Sequence, residues 1–66
     1  MKNRIRVRRA ELEISQDETA KRAEISRTAL NLIEKNKAEP KLITAMKICN
    51  VLNSKIEDIF FINNVN

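Results

Sequence analysis

Sixty-six residues with a net charge of +4, one cysteine and no histidine allow one domain, spanning 1–66, and exclude an internal disulfide and a four-ligand zinc site. No apolar run approaches the roughly 20 residues needed to cross a bilayer and no secretory signal is present, so a cytoplasmic protein is expected. A chain this short buries only about 60% of its unfolded surface, which leaves association between copies as the expected extra source of stability.

The positive charge is uneven. Lys2, Arg4, Arg6, Arg8 and Arg9 precede the first acid, Glu11, and Lys35, Lys37 and Lys41 form a second group. Such clusters suit a polyanion; a basic surface serving solubility alone is the rival reading.

In chain order, the first helix is expected over 3–13, with Ile5, Arg9 and Leu12 on one face at i, i+4 and i+7. Arg9 on that apolar face needs a partner or must reach out to water. Arg4, Arg6 and Arg8 lie elsewhere on this helix and read as a solvated face, some within reach of phosphate. Ser15-Gln16-Asp17-Glu18 is a capping box that starts a second helix, running to about Ala23. Ser26 caps a third helix that runs to about Lys35. Small Ala20 and Ala23 on one helix let the next cross closely, with Leu30 and Ile33 facing them and Ile25 at the corner. That is the packing logic of a helix-turn-helix motif over about 16–35.

Residues 36–41 form a loop in which Asn36 suits a helix end and Pro40 stops continuation. The fourth helix is expected over 42–52, with Leu42, Ala45, Met46, Cys49 and Leu52 as its buried stripe. A second capping box, Ser54-Lys55-Ile56-Glu57, opens a short fifth helix to about Phe61. Ile56, Ile59, Phe60, Phe61, Ile62 and Val65 carry more apolar surface than one short helix hides, so 56–66 reads as a dimerisation segment. Residues 60–63 also suit an extended strand pairing with its copy across a two-fold axis. The alternative is a tail that folds back on its own core.

Several of these features together resemble the phage-repressor and Cro-like class of helix-turn-helix regulators, the XRE type. They are Ser15-Gln16, Ala20, Ile25-Ser26-Arg27, Leu30, Ile33-Glu34, Pro40 with Leu42, Ala45 to Ile48, and Ile56 to Phe60. The likeness covers roughly residues 3–61. It implies an all-α, compact five-helix lambda-repressor-like domain, with a short C-terminal extended segment at a dimer interface as one option. It also implies an Arg9–Glu34 salt bridge that orients the second motif helix. The chain departs from the family where Glu13, Glu24 and Asn36 replace the usual glycines and Thr19 replaces a large aliphatic. Glu24 in a left-handed conformation would cost of order 1 kcal/mol, or the turn avoids that region.

The resemblance implies double-stranded DNA as partner, bound by a homodimer on a pseudo-palindromic operator, most simply to repress transcription. Outward positions of the third helix are then Arg27, Thr28, Asn31 and partly Leu32. Arg27 can donate to guanine O6 and N7, Asn31 can pair with adenine N6 and N7, and Thr28 and Leu32 can touch a thymine methyl. Gln16, Ser26, Lys35 and Lys37 are the expected phosphate contacts. The rivals are a helical protein-interaction module and an antitoxin or restriction–modification controller built on the same fold. Enzyme chemistry finds no support and no cofactor or metal is expected. The close acid pairs Asp17-Glu18 and Glu57-Asp58 sit in first turns of helices, where acids serve the dipole, and there is no glycine for a phosphate loop.

Overall fold

Serine hydroxyls start the two helices of the motif. The Ser15 Oγ accepts from the Glu18 N–H and the Ser26 Oγ from the Ala29 N–H, each at 3.0 Å, which satisfies a backbone donor that no helical carbonyl can reach. In a computed structural model, which describes residues 2–61, the elements are β1 (Lys2–Asn3), α1 (Ile5–Leu12), α2 (Gln16–Arg22), α3 (Arg27–Glu34), α4 (Leu42–Val51), α5 (Ile56–Ile59) and β2 (Phe60–Phe61). The architecture is all-α apart from one two-residue ribbon. Glu18 does not complete the capping box. Its carboxylate takes Arg22 at 2.9 Å, one turn on, because an exposed i, i+4 pair competes with the backbone for it.

One core lies where the five helices meet. Ile5, Leu30, Ile48, Leu52 and Ile59 are fully buried, joined by Ala20, Ala23, Ile33, Ala45, Cys49 and Phe60. Thr19 is also fully buried, and its hydroxyl donates to the Ser15 carbonyl at 2.8 Å. A smaller polar residue is thereby accommodated where the family has an aliphatic one. Burial, and secondarily the charge of Asp58, push the Cys49 thiol up to about 11, so it is a packing residue that stays protonated.

The ends of the chain differ from expectation. The first helix begins at Ile5, not at residue 3, because Lys2 and Asn3 form an antiparallel ribbon with β2, in register Lys2 with Phe61 and Asn3 with Phe60. Asn3 sets this boundary: its Oδ1 accepts from the Ile5 N–H at 3.1 Å. Its Nδ2 donates to the Ile33 carbonyl and to Asn36 Oδ1, at 2.9 and 3.0 Å. The fifth helix ends at Ile59, not at Phe61, and its N-cap is Lys55 without a side-chain bond. Ser54 does not cap it, because its hydroxyl donates to the Leu52 carbonyl and accepts from Arg8 Nε.

The described part of the tail, which ends at Phe61, folds back on its own core. Ile59 and Phe60, expected at a dimer interface, are buried within one chain, and the strand that Phe60 opens is paired with β1 of the same chain. Ile56 and Phe61 remain exposed, while Ile62 and Val65 lie outside the described residues. On α4 the buried stripe is Ala45, Ile48, Cys49 and Leu52; Leu42 and Met46, expected in it, face outward. Leu12 is likewise 39% exposed, so the apolar face of α1 is narrower than its spacing suggests.

Four helix ends share one device. Glu13, Glu24, Asn36 and Asn53 have φ of 57°, 63°, 61° and 52°. At each, the next residue donates its N–H back into the helix: Ile14 to Arg9, Ile25 to Ala20, Lys37 to Leu32 and Ser54 to Cys49, at 2.9 to 3.0 Å. These bonds satisfy carbonyls at the helix end and turn the chain sharply. The motif turn thus adopts the left-handed conformation with Glu24 in it. Lys47, hydrogen-bonded to the Glu24 carboxylate at 2.8 Å, lowers that carboxyl below its usual range.

A left-handed glutamate carries strain that glycine lacks. Glu13→Gly should raise unfolding stability by about 0.5–1 kcal/mol, and Glu24→Gly by less because it also loses Lys47. Denaturant titration checks both; a loss of stability for Glu13→Gly would contradict the strain argument.

Candidate nucleic-acid interface

Helix α3 has two unlike sides. Leu30, Ile33 and Glu34 are buried against the core, whereas Arg27, Thr28 and Leu32 are exposed and Asn31 is half-buried. All four expected base-reading residues thus lie on the accessible side. The first turn of α3 contains no acid, unlike those of α2 (Asp17, Glu18) and α5 (Glu57, Asp58). Acids are favourable at helix N-termini. Their absence here, with Arg27 in the first helical position, leaves a positive end without a carboxylate that would repel phosphate.

Two shallow clefts flank this side. One, of about 450 Å³, is lined by Gln16, Arg27, Thr28 and Asn31. The other, of about 290 Å³, is lined by Arg6, Arg9, Gln16, Asn31, Glu34 and Lys35. Gln16 and Asn31 form the wall common to both.

The second cleft holds a largely buried ion pair in its wall. The Arg9 guanidinium meets the Glu34 carboxylate through two bonds, Nε to Oε2 at 2.8 Å and Nη2 to Oε1 at 3.1 Å. The Glu34 side chain is only 2% exposed and that of Arg9 16%. The third guanidinium nitrogen donates to the Ile14 carbonyl at 3.3 Å. Planar two-point geometry fixes orientation as well as distance. The pair joins α1 to the C-terminal end of α3. Gln16 adds α2: its Nε2 donates to Glu34 Oε1 at 3.1 Å and to Asn31 Oδ1 at 3.2 Å.

The residues expected at phosphates surround this network. Ser26 caps α3 with its oxygen and keeps its hydroxyl hydrogen free to donate. Lys35 and Lys37 are exposed just beyond the Glu34 end of α3. Arg6, expected with Arg4 and Arg8 on a solvated face with some of them within reach of phosphate, is exposed and lines the same cleft as Lys35, without an ion pair among the described residues. No sequence signal marks it, because its neighbours come from α2 and α3. Arg8, by contrast, is structural: its Nε donates to the Leu52 carbonyl and the Ser54 hydroxyl, both at 3.0 Å.

The chain is similar to known proteins over most of its length. A family model described as helix-turn-helix matches residues 5–59. An uncharacterized HTH-type transcriptional regulator of Archaeoglobus fulgidus is 45% identical over 60 residues, covering 91% of this chain and 84% of the relative. Another, of Methanocaldococcus jannaschii, is 42% identical over 91% of each chain. A third, of Bacillus subtilis, is 33% identical over the whole of both. The relatives are thus archaeal as well as bacterial.

The buried pair yields a direct test. Glu34→Ala strands Arg9 and should cost about 3 kcal/mol of stability, because the remaining charge is largely buried. Replacing both members, Arg9→Met with Glu34→Leu, should cost clearly less. Denaturant midpoints of the three proteins decide it; equal losses would mean that the stranded charge is not the cause.

Proposed function

The chain belongs to the XRE-type helix-turn-helix family of DNA-binding transcriptional regulators, and from that premise we propose that it is a sequence-specific repressor that binds a pseudo-palindromic operator as a homodimer in the cytoplasm. The observation that carries this reading is the sidedness of α3, with Arg27, Thr28, Asn31 and Leu32 accessible over a buried Leu30, Ile33 and Glu34.

In this reading α3 enters the major groove with its first turn toward the base edges. Arg27 donates to guanine O6 and N7, Asn31 pairs with adenine N6 and N7, and Thr28 and Leu32 contact thymine methyls. Lys35, Lys37, Ser26 and Arg6 meet phosphates. So does the backbone N–H of Gln16, free at the start of α2. These contacts set register and supply most of the salt-sensitive affinity. Repression follows from occupancy of promoter DNA.

The homodimer draws support from exposed apolar surface. Leu42, Met46 and Ile56 line a shallow cleft of about 360 Å³, Ile43 lies beside Leu42, and Phe61 is exposed at the tail. Leu42 and Met46 are 69% and 53% exposed, more than packing within one chain requires. A two-fold axis would then set the reading helices roughly 34 Å apart, one turn of B-DNA.

Selection of random double-stranded DNA at about 0.15 M salt tests the function. A two-fold symmetric site with half-sites one helical turn apart is expected; no enriched sequence from folded protein would overturn the reading. On that site Arg27→Ala should lower specific binding tenfold or more, roughly the 1–3 kcal/mol of one guanine pair, and leave nonspecific binding nearly intact. Lys37→Ala should weaken all sequences alike and reduce the salt slope by about one. Equal losses on every sequence for Arg27→Ala would remove its base-reading role.

Met46→Lys should leave the fold intact, since the side chain faces solvent, and weaken the dimer at least tenfold in sedimentation. Removal of residues 59 onward cannot make this test, because it deletes Ile59 and Phe60 from the core. An unchanged dimer in Met46→Lys would place the interface elsewhere.

A further inference from the structure

The cleft on α4 is a row with two unlike ends. Leu42 and Met46 stand four residues apart, with Cys49 at the base and Asn50 one turn beyond Met46. From Leu42 to Asn50 the row is about 12 Å long. Leu42 adjoins Lys41, the N-cap of α4, which makes no side-chain capping bond, and the first turn of this ten-residue helix holds no acid. A cation beside the positive end of a helix is unfavourable, and a carboxylate there would relieve it.

Beyond the C-terminus of α4 the other end of the row meets α5. Its first turn carries Glu57 and Asp58, both exposed. Burial first and the charge of Asp58 second hold the Cys49 thiol protonated, and Cys49 lines the cleft, so Asp58 stands close to it. Neither Lys41 nor Asp58 has an ion pair among the described residues.

A surface with a cation at one end, an acid at the other and an apolar row between them is complementary to itself after half a turn. A two-fold axis at Met46 lays the α4 helices of two copies antiparallel, with Leu42 of each against the Asn50 end of the other. Lys41 of each copy then reaches the acidic start of α5 in the other, and every such contact occurs twice.

We propose that Lys41 of each copy pairs with Asp58 of the other across a two-fold axis at Met46, and that these two pairs set the orientation of the homodimer. The pairing rests on the homodimer reading above and goes beyond it by fixing how the copies are turned. Apolar contact has no direction of its own. The charges select one arrangement, because parallel α4 helices would bring Lys41 against Lys41 and Asp58 against Asp58.

The test is a charge swap on the full chain, read by sedimentation equilibrium in about 0.05 M salt. Both side chains are exposed, so the variants keep the core, and circular dichroism melting checks that they fold. Lys41→Glu and Asp58→Lys should each weaken the dimer about tenfold, because one substitution turns two attractions into repulsions. The double variant should return to within about threefold of wild type, and the differences should fade at about 0.5 M salt. An equal mixture of the two single variants should also dimerise nearly as tightly as wild type, since both pairs across a mixed axis are again opposite in charge. Lys21→Glu, on α2, should leave the dimer unchanged. Single variants as tight as wild type, or a double variant and a mixture no tighter than the singles, would overturn the pairing. A monomeric wild-type protein, or a dimer that Met46→Lys leaves intact, would instead overturn the interface itself, so the two failures are told apart.

Discussion

The Arg9–Glu34 pair is the constraint on which the rest of the interface depends. It sits at the junction of α1, α2 and α3, with the carboxylate almost fully excluded from water. An ion pair in such a place contributes little net stability, because the desolvation of both charges offsets their attraction. Its value is geometric. Two parallel bonds fix the angle between α1 and the end of α3, a third bond ties the guanidinium to the Ile14 carbonyl, and Gln16 links the carboxylate to α2. A well-packed apolar substitute would hold the helices together, but it would not fix their angle through two parallel bonds. The chain thus places a costly group where orientation matters more than stability.

The helix ends show a second constraint, the absence of glycine. Each of the four left-handed positions terminates a helix and reverses the chain, a geometry that the fold cannot give up. Asn36 and Asn53 tolerate it with little strain, and Asn36 also accepts a bond from Asn3. Glu13 and Glu24 do so at a cost that the surrounding packing must offset. At Glu24 the ion pair with Lys47 of α4 returns a small part of it. Strain here lies in the turn between α2 and α3, but the helices it joins are positioned by Ala20, Ala23, Ile25 and Leu30 in the core.

The short ribbon solves the problem of a small core by a different route. Pairing Lys2–Asn3 with Phe60–Phe61 closes the chain on itself and holds Ile59 and Phe60 in the core. It also puts Asn3 against the C-terminal end of α3, through the Ile33 carbonyl and Asn36. The ribbon thereby ties the start of the chain to the C-terminal end of α3. Exposed apolar surface remains on Leu42 and Met46 of α4 as well as on Ile56 and Phe61.

The sequence by itself determined the helices of the motif, their caps and the sides of α3, because capping hydroxyls and three- and four-residue apolar spacing act within one or two turns. Ser15, Ser26, Leu30 and Ile33 could therefore be placed without coordinates. Arg9 and Glu34 are 25 residues apart, and their pairing came from family resemblance; nothing local to either residue dictates it. Only the tertiary structure decided that Arg6 stands beside Lys35, that Gln16 spends both amide hydrogens within the protein, that Leu42 and Met46 face outward, and that Ile59 and Phe60 belong to the core. In each case the deciding partner lies on another element. Side-chain hydrogens are shared out, and apolar faces covered, only once the helices have met.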